Sequence, residues 1–318
     1  MKKIMASLVA IAALVGCSKS DDNGGGISIS EGTYPKKIVN KGSSGNVNYE
    51  TTYNLQGGKI LSSTFISYKL DGTIERKNLI SISYEGDYPK EITYTESRTN
   101  GENKNYTETY SFVDGKLKTI IKKYDKNHRA TTTYSYHNDG KLAKVLIESP
   151  SYFGLPNGQT EETTSVTETD YTHTGNVITA AKKRYTKDAQ GNKRDGDTSL
   201  TNYTYTFENE NLIKETESTT NHEYTTEYTY DGKNNPYLQN LKKLIDPDYF
   251  ISTSGSKNNV LTQKGTRKDN NDSPYVSEYI YEYTYADNNY PLTQKIFRKT
   301  TENGVEKKEL GETIEYTY

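Results

Sequence analysis

An all-β chain is what the sequence predicts: a long antiparallel meander of repeated hairpins, curled as a single sheet or an open barrel, with one short helical insertion. Three observations carry that expectation. The chain of 318 residues holds 30 Tyr against 6 Phe and no Trp, and Tyr and Thr both favour a pleated, half-buried surface over a helix. Turn dipeptides recur from Gly57-Gly58 to Asn303-Gly304. Between them, side-chain character alternates with a period of two.

Taken in chain order, the first segment is Met1-Lys2-Lys3, an apolar run from Ile4 to Val15, and then Gly16-Cys17. This is the plan of a secretory signal, too short for a permanent membrane helix. Leu14-Val15-Gly16-Cys17 resembles the lipobox of bacterial lipoproteins, which implies a signal peptide over residues 1–16 and lipid attached to Cys17. Cys17 is the only cysteine, so no disulfide partner competes for it. Two or three acyl chains, at about 0.8 kcal/mol per buried methylene, hold far more firmly than one.

Position 18 is Ser, so the Asp that retains many lipoproteins at the inner membrane is missing. Ser20-Asp21-Asp22 resembles the surface-export signal of Bacteroidota-type lipoproteins; the other reading is a plain acidic, solvated tether. The resemblance implies an outer-membrane protein, lipid-anchored and exposed at the cell surface. Residues 17–32, with Gly24-Gly25-Gly26, form a flexible linker. Residues 33–318 then make a single β-repeat domain.

Composition narrows the function. A formal net charge of −2 with Lys and Glu interspersed offers no basic stripe for phosphates, which argues against a nucleic-acid partner. No second apolar stretch approaches spanning length, so the lipid is the one membrane contact expected. Leu, Ile, Val and Phe are sparse, and tyrosine supplies the area a core needs while keeping its hydroxyl wet or hydrogen-bonded.

Register is legible at two turns. A two-residue loop at Asp114-Gly115 sets Val113 against Lys116, Phe112 against Leu117 and Tyr110 against Thr119. A three-residue loop at Asp139-Gly140 places Tyr136 opposite Leu142. Strands entering turns are aromatic, as in Tyr203 to Phe207, Tyr228 to Tyr230 and Tyr279 to Tyr285. Strands leaving them are aliphatic, as in Leu117 to Ile121 and Leu142 to Ile147.

Tyr134-Ser135-Tyr136-His137-Asn138-Asp139-Gly140-Lys141-Leu142 and Tyr228-Thr229-Tyr230-Asp231-Gly232-Lys233 resemble the Tyr-Asp repeats of the RHS type and their relatives among surface lipoproteins. The resemblance implies a β-meander that curls into a spiral or shell. Lys replaces the usual Arg, the spacing drifts and several repeats lack the Asp.

Two stretches interrupt the rhythm. In residues 231–259, Leu238, Leu241, Leu244 and Ile245 stand at helical spacing and are stopped by Asp246-Pro247. Residues Ser149 to Gln159 read as a Pro- and Gly-containing loop. Long connections between strands tend to carry function, so Tyr152, Phe153, Tyr237 and Tyr249 are the candidate ligand contacts.

Catalytic signatures are weak. His128, His137, His173 and His222 are scattered without metal-ligand spacing. No Gly-x-Ser-x-Gly elbow nominates a serine nucleophile. Asp269-Asn270-Asn271-Asp272 and Asp195-Gly196-Asp197 lack EF-hand spacing and read as polar turns, so no metal or cofactor is expected. The expected role is a binding or scaffold module rather than an enzyme, with a glycan or another envelope protein as partner. The alternatives are a glycan-binding or carbohydrate-processing surface protein, and an assembly subunit that pairs through free sheet edges.

Overall fold

A computed structural model describes residues 34–318, apart from 100, 102, 125–127, 155–158, 195–197, 238–250, 252, 270–274 and 303–304. It contains β1 (Lys37–Gly42), β2 (Val47–Gln56), β3 (Lys59–Tyr68), β4 (Ile74–Glu85), β5 (Tyr88–Arg98) and β6 (Asn103–Val113). There follow β7 (Lys116–Lys123), β8 (Arg129–Tyr136), β9 (Leu142–Gly154), β10 (Thr160–Thr174), β11 (Val177–Lys187) and β12 (Ser199–Glu208). The last six are β13 (Asn211–Ser218), β14 (His222–Tyr230), β15 (Val260–Asp269), β16 (Tyr275–Tyr285), β17 (Pro291–Glu302) and β18 (Val305–Thr317).

Each strand pairs antiparallel with its neighbours in sequence, and β18 returns to β1 with Ile38 opposite Tyr316 and Asn40 opposite Ile314. The sheet is therefore a closed 18-strand barrel, which corrects the expectation of a curled sheet or open barrel. Closure satisfies the two edges that an open meander would expose. Among the described strands no free edge remains for partner pairing. No α-helix occurs among the described residues. The helical segment expected around Leu238 to Ile245 lies outside them, and a 3-10 turn, Thr253–Gly255, stands after it among the described residues.

Alternation separates two faces. Along β4, Ile80 and Ile82 are buried while Lys77, Ser81 and Ser83 on the alternate positions are exposed. Along β5, Ile92 and Tyr94 are buried, with Glu91 and Ser97 exposed on the opposite side. The buried set faces into the ring, where Ile38, Tyr53, Phe65, Ile80, Ile92, Leu117 and Tyr134 form one continuous cluster. The outer wall carries Thr, Ser, Glu and Lys, tied by Lys37–Glu50 at 2.7 Å, Lys144–Glu168 at 2.8 Å, Lys187–Glu148 at 2.8 Å and Lys299–Glu278 at 3.2 Å.

The β6–β7 turn follows its sequence signal. Asp114 and Gly115 have φ of 51° and 73°, and Val113 faces Lys116 with Phe112 opposite Leu117. Tyr110, however, faces Ile120 rather than Thr119, because a bulge between Ser111 and Phe112 inserts one residue. Tyr136 faces Leu142, as its loop length implied.

Bulges of this kind recur one residue before a strand's last aromatic, and they give tyrosine a specific task. Tyr84 donates its hydroxyl to the Ile60 carbonyl at 2.8 Å, Tyr136 to Leu117 at 2.8 Å and Tyr230 to Leu212 at 2.6 Å. The three acceptors are all fully buried. Each hairpin is thus clasped to the one before it through a carbonyl that phenylalanine would leave without this donor.

Two further expectations change. Residues Ser149 to Gly154 belong to β9 rather than to a loop. Pro150 pairs with Thr164 of β10 but lies past the last β8 partner, Glu148, so its missing N–H breaks no ladder on that side. Asp231-Gly232 makes no hairpin either. It opens the connection from β14 to β15.

The chain enters beside its own end: Tyr34 is buried edge-on against Tyr53 at 5.1 Å, and the Lys36 N–H donates to the Thr317 carbonyl at 2.6 Å. The same end of the barrel, called the near end below, carries the turns at Gly57-Gly58 and Asp114-Gly115 and the 231–259 connection.

Candidate functional site

The connection between β14 and β15 is held by short polar side chains rather than by regular structure. Asp231 accepts the Lys233 N–H at 2.9 Å and the Asn259 N–H at 3.0 Å, and its other oxygen accepts from the Tyr285 hydroxyl and the Asn259 amide. The Asp of the Tyr-Asp pair therefore pins a loop. Asn211 and Asn258 exchange two hydrogen bonds at 3.0 and 2.9 Å. Asn235 donates to the Ser256 carbonyl at 2.8 Å and accepts the Tyr237 N–H at 2.9 Å.

Between this connection and the inner face of β14 to β18 lies a cavity of about 190 Å³. The connection contributes Asn235, Pro236, Tyr237, Thr253, Asn258 and Asn259. The sheet contributes Tyr228, Val260, Gln263, Tyr281, Tyr283, Gln294 and Tyr316.

The sheet wall is a chain of phenols and amides. Tyr281 donates to Gln263 Oε1 at 2.8 Å. Gln294 Nε2 donates to the Tyr283 hydroxyl at 3.0 Å, and the Tyr316 hydroxyl donates to Gln294 Oε1 at 2.9 Å. Tyr283 in turn donates to the Val260 carbonyl at 2.9 Å. Burial pushes Tyr281, Tyr283, Tyr316 and above all Tyr237 well over the usual phenol range. Every one of these hydroxyls is a neutral, proton-bearing donor at physiological pH.

Among the described residues, the lining has no Lys, Arg, Asp, Glu or His.

Of the residues singled out from sequence, Tyr237 lines the cavity, and its ring meets Tyr316 edge-on at 6.5 Å. Tyr152 does not: it is exposed on β9, 3.0 Å from His128 Nε2. Phe153 lies in β9, away from the cavity-lining strands. Tyr249, Cys17, Ser20, Asp21 and Asp22 fall outside the described residues. Sequence reasoning missed Gln263, Tyr281, Tyr283, Gln294 and Tyr316. Their period-two alternation was visible, but nothing local says that β15, β16, β17 and β18 share an inner face with a loop that begins at Asp231.

The histidines serve structure. His173 Nε2 lies 2.7 Å from the Leu142 carbonyl, in the position a clasping tyrosine takes elsewhere, and His137 Nε2 lies 3.1 Å from the Tyr171 carbonyl. No group of three metal-ligating side chains occurs among the described residues.

No protein-family model matches the chain, and no curated protein matches it. Among solved structures it is similar to a porin-like protein from Bacteroides vulgatus, at 13% identity over 90% of this chain and 98% of that one, with a TM-score of 0.39. A porin-like protein from Bacteroides uniformis gives 13% identity, 89% and 96% coverage and a TM-score of 0.33. A structure of TcdB2-TccC3 gives 12% identity and a TM-score of 0.28, with 83% of this chain aligned to 16% of that one.

Proposed function

We propose that this chain is a non-enzymatic binding module of the cell envelope, tethered by lipid on Cys17 to the outer membrane and exposed at the cell surface. Its barrel stands in water, with the near-end cavity as its candidate binding site. The carrying observation is the outer wall. A barrel that spans a membrane turns an apolar band about 25 Å tall toward lipid. Here the outward rows of β4 and β5 hold Glu75, Lys77, Glu91 and Ser97 beside an exposed Leu79, with ion pairs such as Lys37–Glu50 and Lys299–Glu278 elsewhere on the wall, while Ile80, Ile82, Ile92 and Tyr94 point inward. A lysine turned to lipid at the bilayer midplane would cost about 2–4 kcal/mol.

The tether follows from Leu14-Val15-Gly16-Cys17, and surface exposure from Ser20-Asp21-Asp22. A carbohydrate-processing role has less support, since a glycosidase needs two carboxylates about 5 to 10 Å apart across its site. Among the described residues none lines this cavity.

Membrane fractionation tests the proposal. The wild type is expected to incorporate labelled palmitate, and the chain starting at Glu31 is expected to remain monomeric in buffer without detergent. Protease treatment of intact cells should digest the wild type. A Glu31–Tyr318 chain that dissolves only in detergent, or that conducts ions across a planar bilayer, would falsify the water-immersed barrel.

A further inference from the structure

We infer that His137 and His173, on neighbouring hairpins at the near end, together hold one divalent transition-metal ion through their Nδ1 atoms. The pair lies outside the cavity described above, and the inference goes beyond the tethered-module reading.

The fold brings the two rings together. His137 opens the turn between β8 and β9, and His173 is the next-to-last residue of β10. Their ring centroids stand 6.0 Å apart, with the planes at 88°. Two imidazoles that share an ion over metal–nitrogen bonds of about 2.0–2.1 Å hold their centroids about 5 to 6 Å apart. The observed spacing lies at the wide end of that span.

The tautomer decides which nitrogen is offered. Each Nε2 faces a backbone carbonyl, Leu142 at 2.7 Å for His173 and Tyr171 at 3.1 Å for His137. A carbonyl only accepts, so each Nε2 carries the proton and each Nδ1 keeps its lone pair. Among the described residues no hydrogen bond engages either Nδ1. Ligating histidines are anchored in this way, with the second ring nitrogen donating to a carbonyl or carboxylate that fixes the ring and raises its basicity.

Clasping by itself does not call for histidine. Tyr84, Tyr136 and Tyr230 do that work in other hairpins. What His173 adds is a ring nitrogen facing away from the clasp, beside a second histidine disposed in the same manner.

Ligand chemistry then names the ion. Imidazole suits Cu²⁺, Ni²⁺ and Zn²⁺, whereas Mg²⁺ and Ca²⁺ take oxygen. Asp139, in the same turn as His137, is engaged within it: its carboxylate accepts the Lys141 N–H at 3.1 Å and lies 3.4 Å from Lys141 Nζ. No third metal-ligating side chain joins the pair among the described residues, so water completes the coordination and the ion stays open to an outside donor.

Isothermal titration calorimetry of the untagged chain starting at Glu31 tests the inference, with Cu²⁺, Ni²⁺ and Zn²⁺ as probes and Mg²⁺ as counter-probe. One ion per chain is expected, Cu²⁺ tighter than Zn²⁺, with a thermal midpoint that rises as metal is added. His173→Tyr supplies the clasp used elsewhere and removes the metal ligand, and His137→Gln keeps an N–H donor. Each should weaken binding about tenfold or more with far-UV circular dichroism retained, while His128→Ala, at the opposite end of the barrel, has no effect. Nitrogen-15 NMR of the metal-free wild type should show both rings protonated at Nε2, and Zn²⁺ should move both Nδ1 signals.

No saturable binding of any of the three ions would overturn the inference. So would binding that survives both substitutions, or a proton on Nδ1 of either ring. The titration runs equally in detergent micelles, so the metal site and the water-immersed barrel fail separately.

Discussion

The two halves of the barrel share one strand pattern and fill their inner faces differently. From β2 to β9 the inner face is occupied by Tyr53, Phe65, Ile80, Ile92, Leu117, Tyr134 and Val145, all buried against one another. Its buried carboxylate among the described residues, Glu108, is satisfied from within: Tyr110 donates to it at 2.7 Å and Tyr94 at 3.2 Å, with Lys122 at 3.5 Å. Lys122 in turn lies 3.8 Å from the Tyr106 ring centroid. From β14 to β18 the inner positions hold Tyr228, Gln263, Tyr281, Tyr283, Gln294 and Tyr316, and space remains between them and the 231–259 connection. Period-two alternation makes a barrel; the residue at each inward position decides whether the interior becomes core or site.

Truncating a matched pair of side chains would break the comparison most sharply. Leu117 and Leu212 are both fully buried, but only Leu117 belongs to the main apolar cluster. Leu117→Ala is expected to cost about 3–5 kcal/mol in urea unfolding and Leu212→Ala about 2–3 kcal/mol, within the range for leucine truncation. Equal costs would show that the second half is packed as tightly as the first.

High pH attacks the tyrosine-rich half next. Burial pushes the Tyr230 hydroxyl up to about 12 from its ordinary 10.0. A raised phenol favours the protonated native state, so its contribution is whole below pH 10 and fades as pH climbs toward 12. The urea midpoint should fall over that interval, and Tyr230→Phe should flatten part of the decline. A midpoint that holds steady through it would show that the buried phenols do not govern alkaline stability.

The clasps make a finer test. Tyr136→Phe removes a donor from the Leu117 carbonyl and should cost about 1 kcal/mol. Tyr230→Phe loses both the Leu212 carbonyl and a 3.0 Å contact with Ser256 Oγ, so at neutral pH it should cost more than Tyr136→Phe. Reversal of that order in chemical denaturation would deny the 231–259 connection its dependence on Tyr230.

Smallest of all is the outer wall. Lys214→Ala removes a 3.7 Å pair with Glu227 between half-exposed side chains, and stability should change by less than about 0.5 kcal/mol. A larger loss in thermal melting would mean that the wall is not an ordinary solvated surface.

Much of the fold was legible before any coordinates. Turn residues that accept positive φ marked the hairpins, and at Asp114-Gly115 they also set which residues face one another next to the turn. Legibility failed two residues further on. The bulge at Ser111 and Phe112 moved Tyr110 from Thr119 to Ile120, because a bulge answers to twist and inner packing that no dipeptide encodes. Tyr237 was found because it sits on a long connection. Gln263 and Gln294 were not, because an inward glutamine on a strand looks the same whether it meets solvent, core or cavity.

By itself the sequence determined the β class, the alternation of its two faces, the places where the chain reverses and the expectation of an exported, lipid-tethered protein. All of these are read from near neighbours along the chain, within reach of a two-residue period or a four-residue turn. Tertiary structure alone decided that β18 meets β1, that an Asp-Gly pair pins a loop instead of turning a hairpin, and that the last five strands wall a cavity with that loop. Those outcomes join residues as far apart as Lys37 and Thr317, 280 positions along the chain. Their free energy comes from burial and hydrogen bonds made only once the ring has closed, which no local pattern contains.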